Sequence, residues 1–234
     1  MQAFNWADMQ ALILQLETEG KVTRTFRRLD PARQQVIVTA ILDEAVERGP
    51  TALNIKKVAE RAEVSVGSLY TYFNNREGLL DFAVELCSRF ITSTFAGFMP
   101  FFDHAELREA LRMYVSGGLA WSETQMALVR FFARAAYHSD SDLADVIVPP
   151  VAEVMLDMVR HFLSQAAKRG EVRDDVDLEA TARIIHALTI IIGDSQILPY
   201  LNAYFQVTDG DMPLDRVMDA LVTLVLRGIG TQHE

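Results

Sequence analysis

Five hydroxyl-bearing side chains and a glycine are packed into the eight residues 65–72: Ser65, Gly67, Ser68, Tyr70, Thr71 and Tyr72. Hydroxyls donate to phosphate oxygens and base edges, and a glycine lets the backbone come close to either. This is the chemistry of holding a polar polymer, not of breaking a bond. Leu69 and Phe73, four apart, anchor a helix to the core and leave the hydroxyls near or on its other side. Ser65 can cap that helix. Just before it, Ile55, Val58, Ala59 and Ala62 follow the i, i+3, i+4, i+7 spacing of one apolar helix face. Asn54 is placed to cap this first helix, and Glu63-Val64-Ser65 leaves room only for a turn. Two short helices joined this tightly lay the second into the major groove of DNA. A helical hairpin inside an ordinary all-α protein has the same spacing, but its core gains nothing from crowded hydroxyls.

Catalytic patterns are missing. The five histidines (104, 138, 161, 186 and 233) are scattered, and the single cysteine, Cys87, forms no cluster. No Gly-rich phosphate loop and no Gly-x-Ser-x-Gly turn occurs. The sequence therefore predicts no catalytic residue, no metal site and no cofactor; the chain reads as a non-enzyme.

The elements that must position the hydroxyl helix are also helical. Asp30-Pro31 is a helix start, and the segment continues through Val36, Ala40, Ile41 and Ala45 to Gly49. A fourth helix begins near Asn75 or Arg76 and runs through Leu79, Ala83, Leu86 and Phe90 toward Phe98. Further helices are predicted near 104–123, 125–138, 150–169, 177–198 and 213–230. Breaks are expected at Pro100, His138 to Asp142, Pro149-Pro150, Gly170 to Asp175 and Pro199 to Pro213. No alternating strand pattern appears, so the fold class is all-α. At the N-terminus, Met9, Leu12, Ile13 and Leu16 give a short amphipathic helix with Phe4 and Trp6 ahead and Gly20 as its stop. Lys21, Arg24, Arg27 and Arg28 follow as a basic, flexible stretch, either a solvated linker or an arm reaching the minor groove. The predicted organisation is an extension over 1–29, a helix-turn-helix domain over 30–76, and a ligand-binding and dimerisation domain over 77–234.

The run Val58-Ala59, Ala62, Val64-Ser65, Gly67-Ser68-Leu69-Tyr70, Tyr72-Phe73 and Arg76-Glu77-Gly78-Leu79-Leu80 resembles the DNA-binding domain of the tetracycline-repressor (TetR) family of bacterial transcriptional regulators. The remaining two thirds are similar only in helical layout. The resemblance implies that Ser65, Val66, Gly67, Ser68, Tyr70, Thr71 and Tyr72 face bases or phosphates, with Asn54, Ile55 and Arg76 at helix starts near the phosphates. The chain departs from the family pattern at Glu63, where glycine suits a left-handed turn, and at Val66 and Asn74, where lysine is frequent. Phosphate attraction then falls to Lys56, Lys57, Arg61, Arg76 and the basic stretch ahead.

The charge distribution fits that picture. The chain carries a net charge of −10, yet residues 21–80 hold ten Lys or Arg against seven Asp or Glu. The acidic excess lies elsewhere and discourages nonspecific contact away from the helix pair. The start of the chain lacks the pattern of a secretion signal, and the most apolar window, Ile184 to Ile192, contains His186 and is about half a membrane span. A cytoplasmic location with no membrane partner is expected.

The last two helices are apolar on more than one face. Ile184, Leu188 and Ile191 in one, and Leu221 and Val225 in the other, need cover on both sides. A second copy supplies it, as the family's four-helix interface implies; a central helix in a monomer is the other reading. The middle helices are rich in large adaptable side chains, including Phe90, Phe95, Met113, Trp121, Phe132 and Met158, with His186 and Asp194 among them. The resemblance implies a chamber for a small hydrophobic effector; by residue type alone each of these is more often core than pocket. Gly117-Gly118 inside a helix marks either close packing or a cavity wall. The function expected is a homodimeric repressor that binds a palindromic double-stranded operator and is released by its effector. The alternatives are an interaction module or coregulator of the same fold that does not itself read DNA, and a small-molecule enzyme or carrier.

Overall fold

The computed structural model describes residues 6–49, 52–137 and 141–231. Phe4, the side chain of Trp6, and the histidines at 138 and 233 lie outside the described residues. In chain order the helices are α1 (Trp6–Thr18), α2 (Arg24–Arg27), α3 (Pro31–Arg48), α4 (Ile55–Arg61), α5 (Val66–Phe73), α6 (Arg76–Phe98), α7 (Leu107–Thr124), α8 (Met126–Tyr137), α9 (Ser141–Lys168), α10 (Leu178–Ile197), α11 (Pro199–Phe205) and α12 (Leu214–Ile229). A short 3-10 helix, Met99–Phe102, follows α6. Among the described residues the sole β pairing is an isolated bridge between Val172 and Gly230, so the architecture is all-α.

The chain sorts into two compact units. The first comprises Met1–Thr94 with Thr124–Ala152, the second Phe95–Glu123 with Glu153–Glu234.

In the first unit, α3 starts as its sequence dictates: Asp30 accepts the Arg33 N–H at 2.9 Å and Pro31 fills the first turn. α1 buries Met9, Ile13 and Leu16 completely. It ends at Gly20, whose φ of +75° lets the N–H groups of Gly20 and Lys21 return to the carbonyls of Glu17 and Leu16, both at 2.9 Å. The stretch after it is not a flexible arm. α2 forms there, and Phe26 is fully buried with its ring 5.1 Å from Phe73 and 5.3 Å from Phe82. Burying one such ring is worth about 2–3 kcal/mol, which outweighs the mutual repulsion of a few exposed bases. The basic composition of residues 21–28 concealed this single aromatic anchor.

In the second unit, Asp177 caps α10 through the Ala180 N–H at 3.0 Å. Arg160 on α9 gathers Glu153, Asp157 and Glu179 at 2.7–2.9 Å, and this holds the Glu179 carboxyl down to about 2. These groups are solvent-exposed, so the cluster aligns α9 with α10 more than it stabilises them.

One expected break is overturned. Pro149 and Pro150 lie inside α9 rather than ending a helix. Each removes one backbone donor, but Ile147 and Val151 on either side of them are buried at 0% and 2% exposure and hold the helix through the defect. The expected break from Pro199 to Pro213 does separate α10 from α12, and it holds a short helix of its own: Pro199 occupies the first turn of α11, where a missing N–H costs nothing.

Candidate functional site

The helix pair α4–α5 is built by local capping. Asn54 accepts the Lys56 N–H at 3.0 Å, and Ser65 accepts the Ser68 N–H at 2.9 Å. Between them Glu63 takes a φ of +52°. The N–H groups of Glu63 and Val64 bond back to Glu60 at 3.2 Å and Ala59 at 3.0 Å, closing a Schellman turn. A side chain in this conformation costs about 1–2 kcal/mol, and the Arg33 guanidinium offsets part of it by donating to the Glu63 carbonyl at 2.6 Å. Glu44, fully buried on α3, accepts the Asn54 N–H at 3.3 Å and pairs with Arg48 at 3.1 Å and Arg61 at 3.5 Å. No sequence motif pointed to Glu44, because two of its three partners, Asn54 and Arg61, lie beyond its own helix.

On α5, Leu69 and Phe73 are fully buried, and Ser65, Gly67, Tyr70 and Thr71 are exposed. Val66, Ser68 and Tyr72 are half-buried. The Thr71 hydroxyl donates to the Gly67 carbonyl at 3.0 Å, and the Ser65 and Ser68 hydroxyls share a hydrogen bond of 2.8 Å. A Cβ on Gly67 would meet nothing closer than the Ser65 hydroxyl at 3.6 Å. Internal packing therefore does not require glycine there. Gly78 is the opposite case, since a Cβ would sit 2.3 Å from the Phe73 carbonyl.

The carboxy end of α5 is held by the extension. Thr23 donates its N–H to the Tyr72 carbonyl and its hydroxyl to the Thr71 carbonyl, both at 2.9 Å. These are last-turn acceptors that a helix leaves without intrahelical partners. Phe26 also lies edge-on to Tyr72 at 5.8 Å, which fixes a ring placed by its residue type on the reading face. The expected phosphate ligands divide. Lys56 is exposed with no ion pair among the described residues, whereas Lys57 pairs with Glu60 at 2.9 Å. Arg76 is half-buried and donates from Nε to the Leu53 carbonyl at 2.9 Å, joining the start of α6 to the loop before α4.

Within the second unit lies a pocket of about 420 Å³. Phe95 and Phe98 of α6, Phe101 and Phe102 of the 3-10 helix, Met113 and Tyr114 of α7, Met155 and Met158 of α9, and Ile190 and Ile197 of α10 line it. Its volume falls in the range of small-molecule sites. Gly117, Gly118 and Gly193 also line it, and a Cβ on any of the three would meet nothing within 4 Å. A glycine inside a helix costs about 0.5–1 kcal/mol relative to alanine. None of the three is held in a close approach, and all three border the pocket, so Gly117-Gly118 reads as part of its wall. The polar lining consists of Tyr114, Ser116, Ser122, Thr189 and Asp194, with no Lys, Arg or His. Burial pushes the Tyr114 phenol well above its ordinary value, so it stays neutral; its hydroxyl lies 3.3 Å from the Met155 carbonyl and 3.4 Å from His186 Nδ1.

Residues 37–82 match the family model of bacterial regulatory proteins of the tetR family. That segment, which holds α4 and α5, is similar to the tetR family. The fold of the chain is shared with solved regulators of that family. A TetR-family transcriptional regulator from Chloroflexus aurantiacus superposes with a TM-score of 0.59 at 17% identity, over 90% of this chain and 99% of that one. The transcriptional regulator FadR from Bacillus subtilis, solved in complex with stearoyl-CoA, gives 0.55 at 18% identity over 82% and 97%. A ketosteroid transcriptional regulator of Mycobacterium tuberculosis gives 0.55 at 18% identity over 88% and 98%. No curated protein sequence matches the chain. Among the described residues no helix is long and apolar enough to cross a membrane.

The residues named for an effector are only partly brought together. Phe95, Met113, Met158 and Asp194 line the pocket. Trp121 does not line it but backs Phe95, with ring centres 5.1 Å apart. His186 stands behind Tyr114. Phe90, 3% exposed, and the half-buried Phe132 belong to the first unit and are not part of this pocket. The pocket residues that sequence reasoning passed over include Phe101, Phe102 and Gly193; helical spacing does not separate pocket lining from core. Of the apolar residues named for a dimer, Ile184 is 61% exposed, and Leu188 and Ile191 are half-buried. Leu221 and Val225 are instead buried at 6% and 8% within their own unit. The outward position on α12 is Leu224, 65% exposed.

Proposed function

We propose that the chain is a homodimeric, ligand-responsive transcriptional repressor that places α5 of each copy in successive major grooves of a palindromic operator. The observation that carries this reading is the outer face of α5: exposed hydroxyls and a glycine that internal packing does not require. Two such helices would enter one face of the duplex about 34–36 Å apart. Ser65, Val66, Gly67, Ser68, Tyr70, Thr71 and Tyr72 read or clamp, and Asn54, Lys56 and Lys57 lie along the backbone. Arg76 acts chiefly by fixing the start of α6.

The pocket would take a small hydrophobic effector. With no cationic group on its walls, it suits a neutral or cationic molecule better than an acid. α6 begins at Arg76 in the first unit, and its last turns carry Phe95 and Phe98, which line the pocket of the second; this shared helix is the element through which occupancy would act on DNA binding. To release DNA, the effector must prefer the DNA-incompetent state; equal affinity for both shifts nothing. A cytoplasmic location goes with a chromosomal operator as partner.

The test is a salt-titrated gel shift of the full chain with the DNA flanking its own gene, comparing wild type with Tyr70→Ala. The expected result is a retarded band that weakens with salt and is lost in the variant while dimerisation persists. Wild-type protein that retards no fragment would favour the non-DNA-binding interaction module.

A further inference from the structure

The bases surrounding α5 are mostly engaged within the protein. α5 itself has none. Lys57 pairs with Glu60 at 2.9 Å, Arg61 with Glu47 at 2.5 Å, Arg27 with Glu17, and Lys21 lies 3.7 Å from Asp81. Arg33 and Arg76 donate to backbone carbonyls. Surface pairs of this kind exchange readily with solvent, but each carboxylate cancels charge where a phosphate would have to sit.

Arg24 and Arg28 differ. Both are exposed, four residues apart, and neither has an ion pair among the described residues. They are also held in place. Thr23, directly before Arg24, makes two 2.9 Å hydrogen bonds to the last-turn carbonyls of α5. Phe26, midway between the arginines, is fully buried against Phe73 and Phe82. Two free cations are thus pinned at the carboxy end of the helix that presents the hydroxyl face.

We infer that Arg24 and Arg28 form a second DNA contact, binding backbone phosphates beside the groove that α5 enters, so that the extension supplies the positive charge the reading helix lacks. This rests on the DNA-binding reading. The ligand is a duplex phosphate backbone and the contact carries no base specificity, since phosphate contacts position a protein without reading sequence.

The experiment uses the full chain and a fluorescein-labelled duplex of random sequence, with affinity followed by anisotropy across a sodium chloride titration. Each phosphate contact adds about 0.9 to the slope of log affinity against log salt. Arg24→Gln/Arg28→Gln is expected to lower that slope by about 2 per subunit, with an unchanged melting midpoint because both positions are exposed. Arg24→Lys/Arg28→Lys, which keeps the charge, is expected to retain the wild-type slope. A Gln variant with the wild-type slope overturns the inference and leaves the DNA-binding reading standing. A Lys variant as defective as the Gln variant also overturns it, by showing that packing rather than charge was lost. Wild-type protein whose binding does not respond to salt, or is absent, overturns both.

Discussion

Gly67 and Gly78 are both part of the family pattern, yet they do different work. Gly78 is required by the fold, because any side chain there would strike the Phe73 carbonyl. Gly67 is not: a methyl group would find open space apart from one ordinary contact at 3.6 Å. Gly67→Ala is therefore expected to leave the melting midpoint unchanged or raise it slightly, alanine being the better helix former by up to about 1 kcal/mol. The same variant should weaken duplex binding at least tenfold in an anisotropy titration; undiminished affinity would remove Gly67 from the interface. Caps such as Asn54 and Ser65 were legible in the sequence because their partners lie two or three residues away. Glu44 and Thr23 were not. Glu44 reaches Asn54 across ten residues and Thr23 reaches Thr71 across forty-eight, and no local pattern encodes such a contact.

At the scale of elements, the amphipathic spacing located most helices and misjudged one proline pair. Pro149-Pro150 lies within α9 because buried neighbours on both sides supply more than the lost backbone bonds remove. α10 carries a pH-sensitive group. Burial, with a smaller contribution from Arg160, holds His186 below its ordinary value of 6.5, so the folded protein prefers the neutral imidazole. The unfolded chain binds the proton more readily, and folding stability attributable to His186 is complete above 6.5 and lost as pH falls through the lowered folded value. Thermal melts on either side of that window should show the midpoint falling toward acid, and His186→Asn should flatten this part of the profile. A variant whose acid profile matches wild type would show that other groups govern it.

For the whole molecule the expected assembly is a pair of chains. Ile184 and Leu224 are more than half exposed, while Leu221 and Val225 are already covered. Leu224→Glu combined with Ile184→Glu should give a folded monomer in sedimentation velocity, with helical content retained and operator affinity lost. Leu221→Glu should instead unfold its unit, because an unpaired buried charge costs several kcal/mol. A double variant that still sediments as a dimer would place the interface elsewhere.

The sequence by itself determined the all-α class, the helix-turn-helix and its resemblance to one family, because capping residues, apolar spacing and a run of hydroxyls act within a few positions of one another. Tertiary structure alone decided which apolar side chains line the pocket, that a buried phenylalanine makes the basic extension part of the helix pair, and which face of α12 is left outside. Those outcomes depend on contacts between residues far apart in the chain, and hydrophobicity at a single position does not say what it will be buried against.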